Sequence, residues 1–179
     1  MFTDIVGFTE LTELHGDEVA LKLVDAHEVA VRSVLGDGSR IVKELGDGML
    51  LWFDTALAAM SSSLRLQGRL TDLEVDTFPL WVRVGAHFGT PRQRGDDLIG
   101  RDVNLASRIA AVAAPGEVVV SEAFLDQVGV ESRAAGAPEP ASFSSLGSVF
   151  VKGIATPVPL YRAEPHIPRS EERRVGKEC

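Results

Sequence analysis

Apolar and polar positions along the chain switch between two periods, and the switches outline the elements. Residues 1–5 read as a short strand, apolar except for Thr3 and Asp4. Gly7 to Thr9 turns the chain, and Thr9-Glu10-Leu11-Thr12-Glu13 opens a helix with acids in its first turn, where the helix dipole favours them. Asp17 can cap a longer helix in which Ala20, Leu23, Val24, His27, Val31, Val34 and Leu35 recur at helical spacing. Gly36-Asp37-Gly38 stops it. Ile41 and Val42, then residues 49–53, form two apolar, partly β-branched runs joined through Gly46-Asp47-Gly48. Glycine and aspartate accept the positive φ of a tight hairpin, so Asp47 is expected at the tip of a ribbon, with Lys43 on its first strand.

Asp54 or Thr55 caps a third helix to about Leu70, with Leu57, Met60, Leu64 and Leu66 as core positions. Residues 80–88 alternate as a strand and end at a Gly89-Thr90-Pro91 turn. A polar loop leads to a helix over 103–109, closed by Pro115-Gly116, and 117–120 is a short strand. Residues 134–140 form an Ala/Gly/Pro-rich loop, and the last strands lie near 142–151 and 158–162. This order predicts an α+β domain with helices packed on one face of a mostly antiparallel sheet. No internal repeat is visible.

With 179 residues, the chain suffices for one well-buried domain and is short for two. No apolar run reaches the roughly eighteen residues of a membrane helix, and no signal-peptide pattern opens the chain. A cytoplasmic location is expected, whether free or as the cytosolic part of a larger or membrane-anchored protein, with no membrane contact from this segment. A net charge of −8 argues against a nucleic-acid partner. It leaves room for a phosphorylated small molecule, because divalent cations mediate between carboxylates and phosphates. Cys179 is the single cysteine, so no intrachain disulfide forms, and the four histidines lack metal-ligand spacing. Residues 166–179 are expected to be a disordered tail, of which 169–179 resembles a translated sequencing adapter. Met1 falls inside a strand pattern, so residues 1–165 are expected to be a domain whose natural chain begins earlier.

Four blocks carry a resemblance. Asp4-Ile5-Val6-Gly7-Phe8-Thr9, Lys43-x-x-Gly46-Asp47-Gly48, the run from Gly95-Asp96-Asp97 through Gly100-Arg101-Asp102-Val103-Asn104 to Arg108, and Val151-Lys152-Gly153 are similar to the signature blocks of class III nucleotidyl cyclase catalytic domains. They occur in family order and span nearly the whole chain to Arg162. The resemblance implies a ferredoxin-like cyclase fold and an adenylate cyclase that makes 3′,5′-cyclic AMP and pyrophosphate from ATP. It further implies two Mg²⁺ or Mn²⁺ ions per site, held by Asp4, Asp47 and the Ile5 carbonyl, with Gly7, Phe8 and Thr9 offering backbone N–H groups to the triphosphate.

Lys43 and Asp97 match the positions that read the purine, and a Lys donor with an Asp acceptor complements adenine. Guanylate cyclases tend to carry Glu and Cys there. Asp96 adjoins Asp97, and counting back three from Gly100 favours Asp97. Asn104 would orient the ribose, Arg108 would stabilise charge on the α-phosphate, and Lys152 would contact the γ-phosphate. Arg101 is left as a surface charge. Because the family divides these sets between protomers and this chain carries both, a homodimer with two equivalent sites is implied. The other readings are a guanylate or purine-promiscuous cyclase and a nucleotide-binding regulatory domain without turnover. Each residue also has a plain alternative: Asp4 as a helix cap, Asp47 as a solvated turn, Lys43, Asp97 and Lys152 as surface charges, and Asn104 with Arg108 as the outer face of an amphipathic helix.

Overall fold

A computed structural model describes residues 1–166. All of the tail expectation except His166, the adapter-like segment included, lies outside the described residues. In chain order, β1 (Phe2–Ile5) is followed by α1 (Phe8–His15), α2 (Asp17–Arg32), β2 (Ser39–Leu45) and β3 (Gly48–Phe53). Next come α3 (Ala56–Leu70), β4 (Glu74–Val75), β5 (Phe78–Pro79) and β6 (Val82–Ala86). The chain continues with β7 (Arg92–Arg94), β8 (Asp97–Ile99), α4 (Arg101–Val112), β9 (Val118–Ser121), α5 (Glu122–Ala135), β10 (Ala141–Val149) and β11 (Val158–Pro165). Seven strands form one sheet in the order β10-β11-β9-β6-β1-β3-β2. All neighbours in it are antiparallel except β6 and β9. The expected α+β, mostly antiparallel architecture is therefore present.

Strand side chains alternate between faces, and the core divides accordingly. Ile5, Met49, Leu51, Val82, Val84, Val118 and Val120 join Leu23 and Val31 of α2, Met60 and Leu66 of α3, and Phe124 and Val128 of α5 in the largest apolar cluster. Their neighbours along the strands, Phe2, Leu50 and Val119, face the other way and meet Leu105, Ala106, Ile109 and Ala110 of α4. Helices thus cover both faces, where the sequence reading put them on one. That reading had no way to see the face of α4, because the helix is apolar on the side toward the sheet whichever face it takes.

Helix α5 and the two small hairpins β4–β5 and β7–β8 are further elements that the sequence pattern does not announce. Helix α5 begins at Ser121, whose hydroxyl caps it by accepting from the Phe124 N–H, and it buries Phe124 and Val128. Ser121 with Phe124 and Val128 at i+3 and i+7 was the available signal. The polar loop before α4 is instead a small hairpin, β7–β8, turned through Gly95-Asp96. It delivers Asp97 to the start of α4.

Helix α4 lies unusually close to the sheet. Gly85 of β6 lies under Ala110, and a Cβ at that glycine would overlap the Ala110 backbone. Gly85→Ala must therefore push α4 outward or distort β6. The variant is expected to lose about 1–3 kcal/mol of stability, as overpacked cores do, measured by urea denaturation against wild type.

Candidate active site

The strand β1 is sandwiched between β3 and β6, and its register determines what Asp4 meets. Asp4 pairs across to Gly48 on one side and Arg83 on the other. The Arg83 Nε donates to Asp4 Oδ2 at 2.7 Å. Opposite, a Cβ on Gly48 would stand 2.7 Å from the Thr3 carbonyl oxygen, so only glycine lets the hairpin close on β1 at this point. The hairpin turns through Gly46, at φ +72°, and Asp47. Its tip is tied down by the Ile5 N–H, which donates to the Asp47 carbonyl oxygen at 3.3 Å. Forty-three positions apart in sequence, the two carboxylates thus share one cleft.

That cleft encloses about 520 Å³ and is lined by Asp4, Ile5, Val6, the segment from Gly7 to Glu10, Asp47 and Arg83. The α1 helix starts at Gly7 without a side-chain cap. Its first-turn N–H groups, those of Phe8 and Thr9 among them, therefore open toward the cleft, where the positive end of the helix suits an anion. Asp47 is half-buried, and burial pushes its carboxyl above the ordinary carboxylate range, with the nearby Asp4 charge adding to the shift. Arg83 opposes it. A partly desolvated carboxylate beside a second one is a site that gains from a cation.

The donor chemistry fits a hard divalent ion: carboxylate oxygens of Asp4 and Asp47, with the Ile5 carbonyl adjacent. Among the described residues no group of three or more His, Cys, Asp or Glu side chains could hold a metal. The remaining ligands would have to be phosphate oxygens and water, the arrangement expected where a nucleotide brings its own oxygens.

Arg83 was missed in the sequence. A single cation amid Val82, Val84, Gly85 and Ala86 was the signal, since a strand so apolar retains a charge only where it has a partner. His27, placed in the core stripe of α2, is indeed buried, and among the described residues neither ring nitrogen has a hydrogen-bond partner. Burial lowers its pKa to about 4, so the ring is neutral near pH 7.

The second set lies elsewhere on the chain. A bulge between Ile41 and Lys43 in β2 re-aims the strand, and Lys43 Nζ meets Asp97 Oδ2 at 2.7 Å. That hydrogen bond is the main reason the Asp97 carboxyl lies below its ordinary range. Asp96, by contrast, offers its carbonyl oxygen, which accepts from Arg40 at 3.3 Å. On α4, Asn104 is exposed and Arg108 half-exposed, one helical turn apart. Among the described residues neither side chain enters a hydrogen bond or ion pair. Lys152 is exposed in the turn that follows β10. None of Lys43, Asp97, Asn104, Arg108 and Lys152 lines the carboxylate cleft.

The chain belongs to the adenylate and guanylate cyclase catalytic domain family, whose model matches residues 1–161. It is 36% identical over 165 residues to an adenylate cyclase of Streptomyces coelicolor, covering 92% of this chain and 42% of that protein. An adenylate cyclase of Streptomyces griseus is 37% identical over 128 residues, 71% of this chain and 31% of the relative. The chain therefore spans less than half the length of these relatives. Among solved structures, one of adenylate cyclases from Trypanosoma brucei in their monomeric state superposes with a TM-score of 0.77. The identity is 25%, with 90% of this chain and 85% of that one covered. The fold is that of class III cyclase domains. Among the described residues no helix is long and apolar enough to cross a membrane.

The raised Asp47 carboxyl makes a testable statement about the metal-free protein. Its folded pKa exceeds the unfolded one, so ionisation opposes folding once pH climbs above the ordinary carboxylate range. Asp47→Asn should raise the melting temperature of metal-free protein at pH 7, and the gain should vanish as pH falls below that range. Added Mn²⁺ should raise the melting temperature of wild type and leave that of the variant unmoved.

Proposed function

We propose that this domain is an adenylate cyclase, converting ATP to 3′,5′-cyclic AMP and pyrophosphate in a homodimer with two shared sites. The observation that carries the reading is the meeting of Asp4 and Asp47 in one cleft against the uncapped start of α1. In the reaction the ribose 3′-oxygen forms a bond to the α-phosphorus. The bond from that phosphorus to the bridging oxygen breaks, pyrophosphate leaves, and the hydroxyl proton passes to solvent. Two divalent ions, Mg²⁺ or Mn²⁺, would when bound acidify the hydroxyl and neutralise the triphosphate.

The residues supply the rest. Asp4, Asp47 and the Ile5 carbonyl hold the ions, and the N–H groups of Gly7, Phe8 and Thr9 donate to triphosphate oxygens. Arg83, the cation lining this cleft, turns from Asp4 to the phosphates. Lys43 donates to adenine N1 and Asp97 accepts from its exocyclic amine. Asn104 orients the ribose, Arg108 meets the charge that builds on the α-phosphate, and Lys152 reaches the γ-phosphate. The absence of these last five residues from the carboxylate cleft supports a site completed by a second chain: one protomer brings the carboxylates, its partner the base-reading and arginine set.

Base choice is tested by exchanging the reading pair. Lys43→Glu with Asp97→Cys should shift the ratio of kcat/KM for ATP over GTP toward GTP by at least tenfold, since a mismatched base leaves polar groups unpaired. An unmoved ratio removes these residues from base reading. The shared site is tested by mixing. Asp4→Asn and Arg108→Ala should each be nearly inactive, yet a freely exchanging mixture should recover roughly a quarter of wild-type turnover, because half the dimers then carry one intact site of two. A mixture that forms heterodimers and stays inactive places both sets within one chain.

A further inference from the structure

Helix α4 has no cap of its own: Gly100 offers no side chain to its first turn. What holds that turn comes from outside the helix. Asp102 Oδ2 accepts from the Thr90 N–H at 2.8 Å, and its Oδ1 lies 3.7 Å from His87 Nε2. His87 Nδ1 is in turn 2.8 Å from Ser121 Oγ. Ser121 Oγ already accepts from the Phe124 N–H at 3.3 Å, so its one hydroxyl hydrogen is free to go to Nδ1. We assign the ring proton to Nε2, on the side of the Asp102 carboxylate, which can only accept. Burial depresses the His87 pKa, in keeping with a neutral ring that accepts at one nitrogen and donates at the other.

The same three residue types make up hydrolytic triads, but this set is not one. Ser121 is 2% exposed and its oxygen is committed to the start of α5, so no substrate reaches it. The chain of contacts instead links the start of α5, the end of β6 and the first turn of α4. Gly89 is part of the fit, because a Cβ there would overlap the Asp102 carboxylate. Helix α4 thus meets the sheet through its apolar face and through two closer fits toward its ends, Asp102 against His87 and Thr90, and Ala110 on Gly85. Asn104 and Arg108 lie between them, each two residues from one of the attachments.

We infer that His87 is a positioning residue for turnover, holding Asp102 so that the first turn of α4 presents Asn104 and Arg108 at the correct height and rotation. The inference rests on the cyclase reading of those two side chains. It concerns kcat rather than ion binding, since Asp4 and Asp47 sit on other elements. A displacement of about 1 Å in such groups costs on the order of 10²-fold in rate.

Two variants of His87 separate its two contacts. In His87→Gln the amide nitrogen reaches the place of Nε2 and keeps the donor toward Asp102. In His87→Asn the shorter amide replaces Nδ1 and keeps only the Ser121 contact. His87→Asn should lower kcat at least tenfold with KM for ATP and the Mn²⁺-induced melting shift unchanged. His87→Gln should restore most of kcat. Hydrogen exchange gives a readout independent of turnover: amides of residues 101–105 should exchange faster in His87→Asn than in His87→Gln, with β1 and α2 unaffected. Unchanged kcat and unchanged exchange in His87→Asn overturn the clamp, as do equal losses in both variants that follow melting temperature. If wild type turns over no nucleotide, the cyclase reading fails, while the exchange comparison still decides the clamp.

Discussion

Everything the cleft can do depends on the register of β1 between β3 and β6. The strand is four residues long, and its alternation sends Thr3 and Ile5 to one face and Phe2 and Asp4 to the other. A slip of one residue would turn Ile5 out of the main core and drive Asp4 into it. Burial of a few apolar side chains therefore fixes where a carboxylate stands, and it does so against electrostatic resistance from Asp47. Arg83, directly across from Asp4, offsets part of that resistance. The apolar core supplies the stability, and the cleft draws on it, as sites with like charges commonly do.

Much of this was legible in the sequence because the signals were local. The hairpin announced itself through Gly46-Asp47-Gly48 between apolar runs, and α2 through its stripe, down to the buried His27. The choice of Asp97 over Asp96 rests on its offset from Gly100, and the structure pairs Asp97 with Lys43. Residues that depend on long-range pairing were harder. Arg83 has meaning only once β6 lies beside β1, seventy-nine positions away. The hairpin β7–β8 is too short and polar to show alternation, and α5 buries a narrow face around small residues, so neither stood out. That α4 covers the second face of the sheet follows from the β6–α4–β9 crossover, which no local pattern encodes.

The crossover also bears on the catalytic role proposed for α4. A helix joining two parallel neighbours packs tightly over the strand it leaves, here with Gly85 and Gly89 clearing its path. Rigidity of that kind suits groups that must be oriented in advance rather than recruited. The carboxylate side is built differently, from a strand end, a hairpin tip and a helix start, all converging on open space. In the proposed reading, one set of groups is thus preset on a helix and the other lines an open receptacle for ions and anions.

The ion pair between Lys43 and Asp97 carries one more consequence. Both partners are solvent-accessible, and in the proposed reading both address the purine. A base that uses them must first displace each from the other, so the protein itself acts as a competitor for its own recognition groups. Dissolved ions screen that competitor. In the same reading they also screen the attraction between a triphosphate and the start of α1. Ionic strength therefore acts with opposite sign on the two ends of a single nucleotide, loosening the hold on the phosphates while unlatching the groups that read the base.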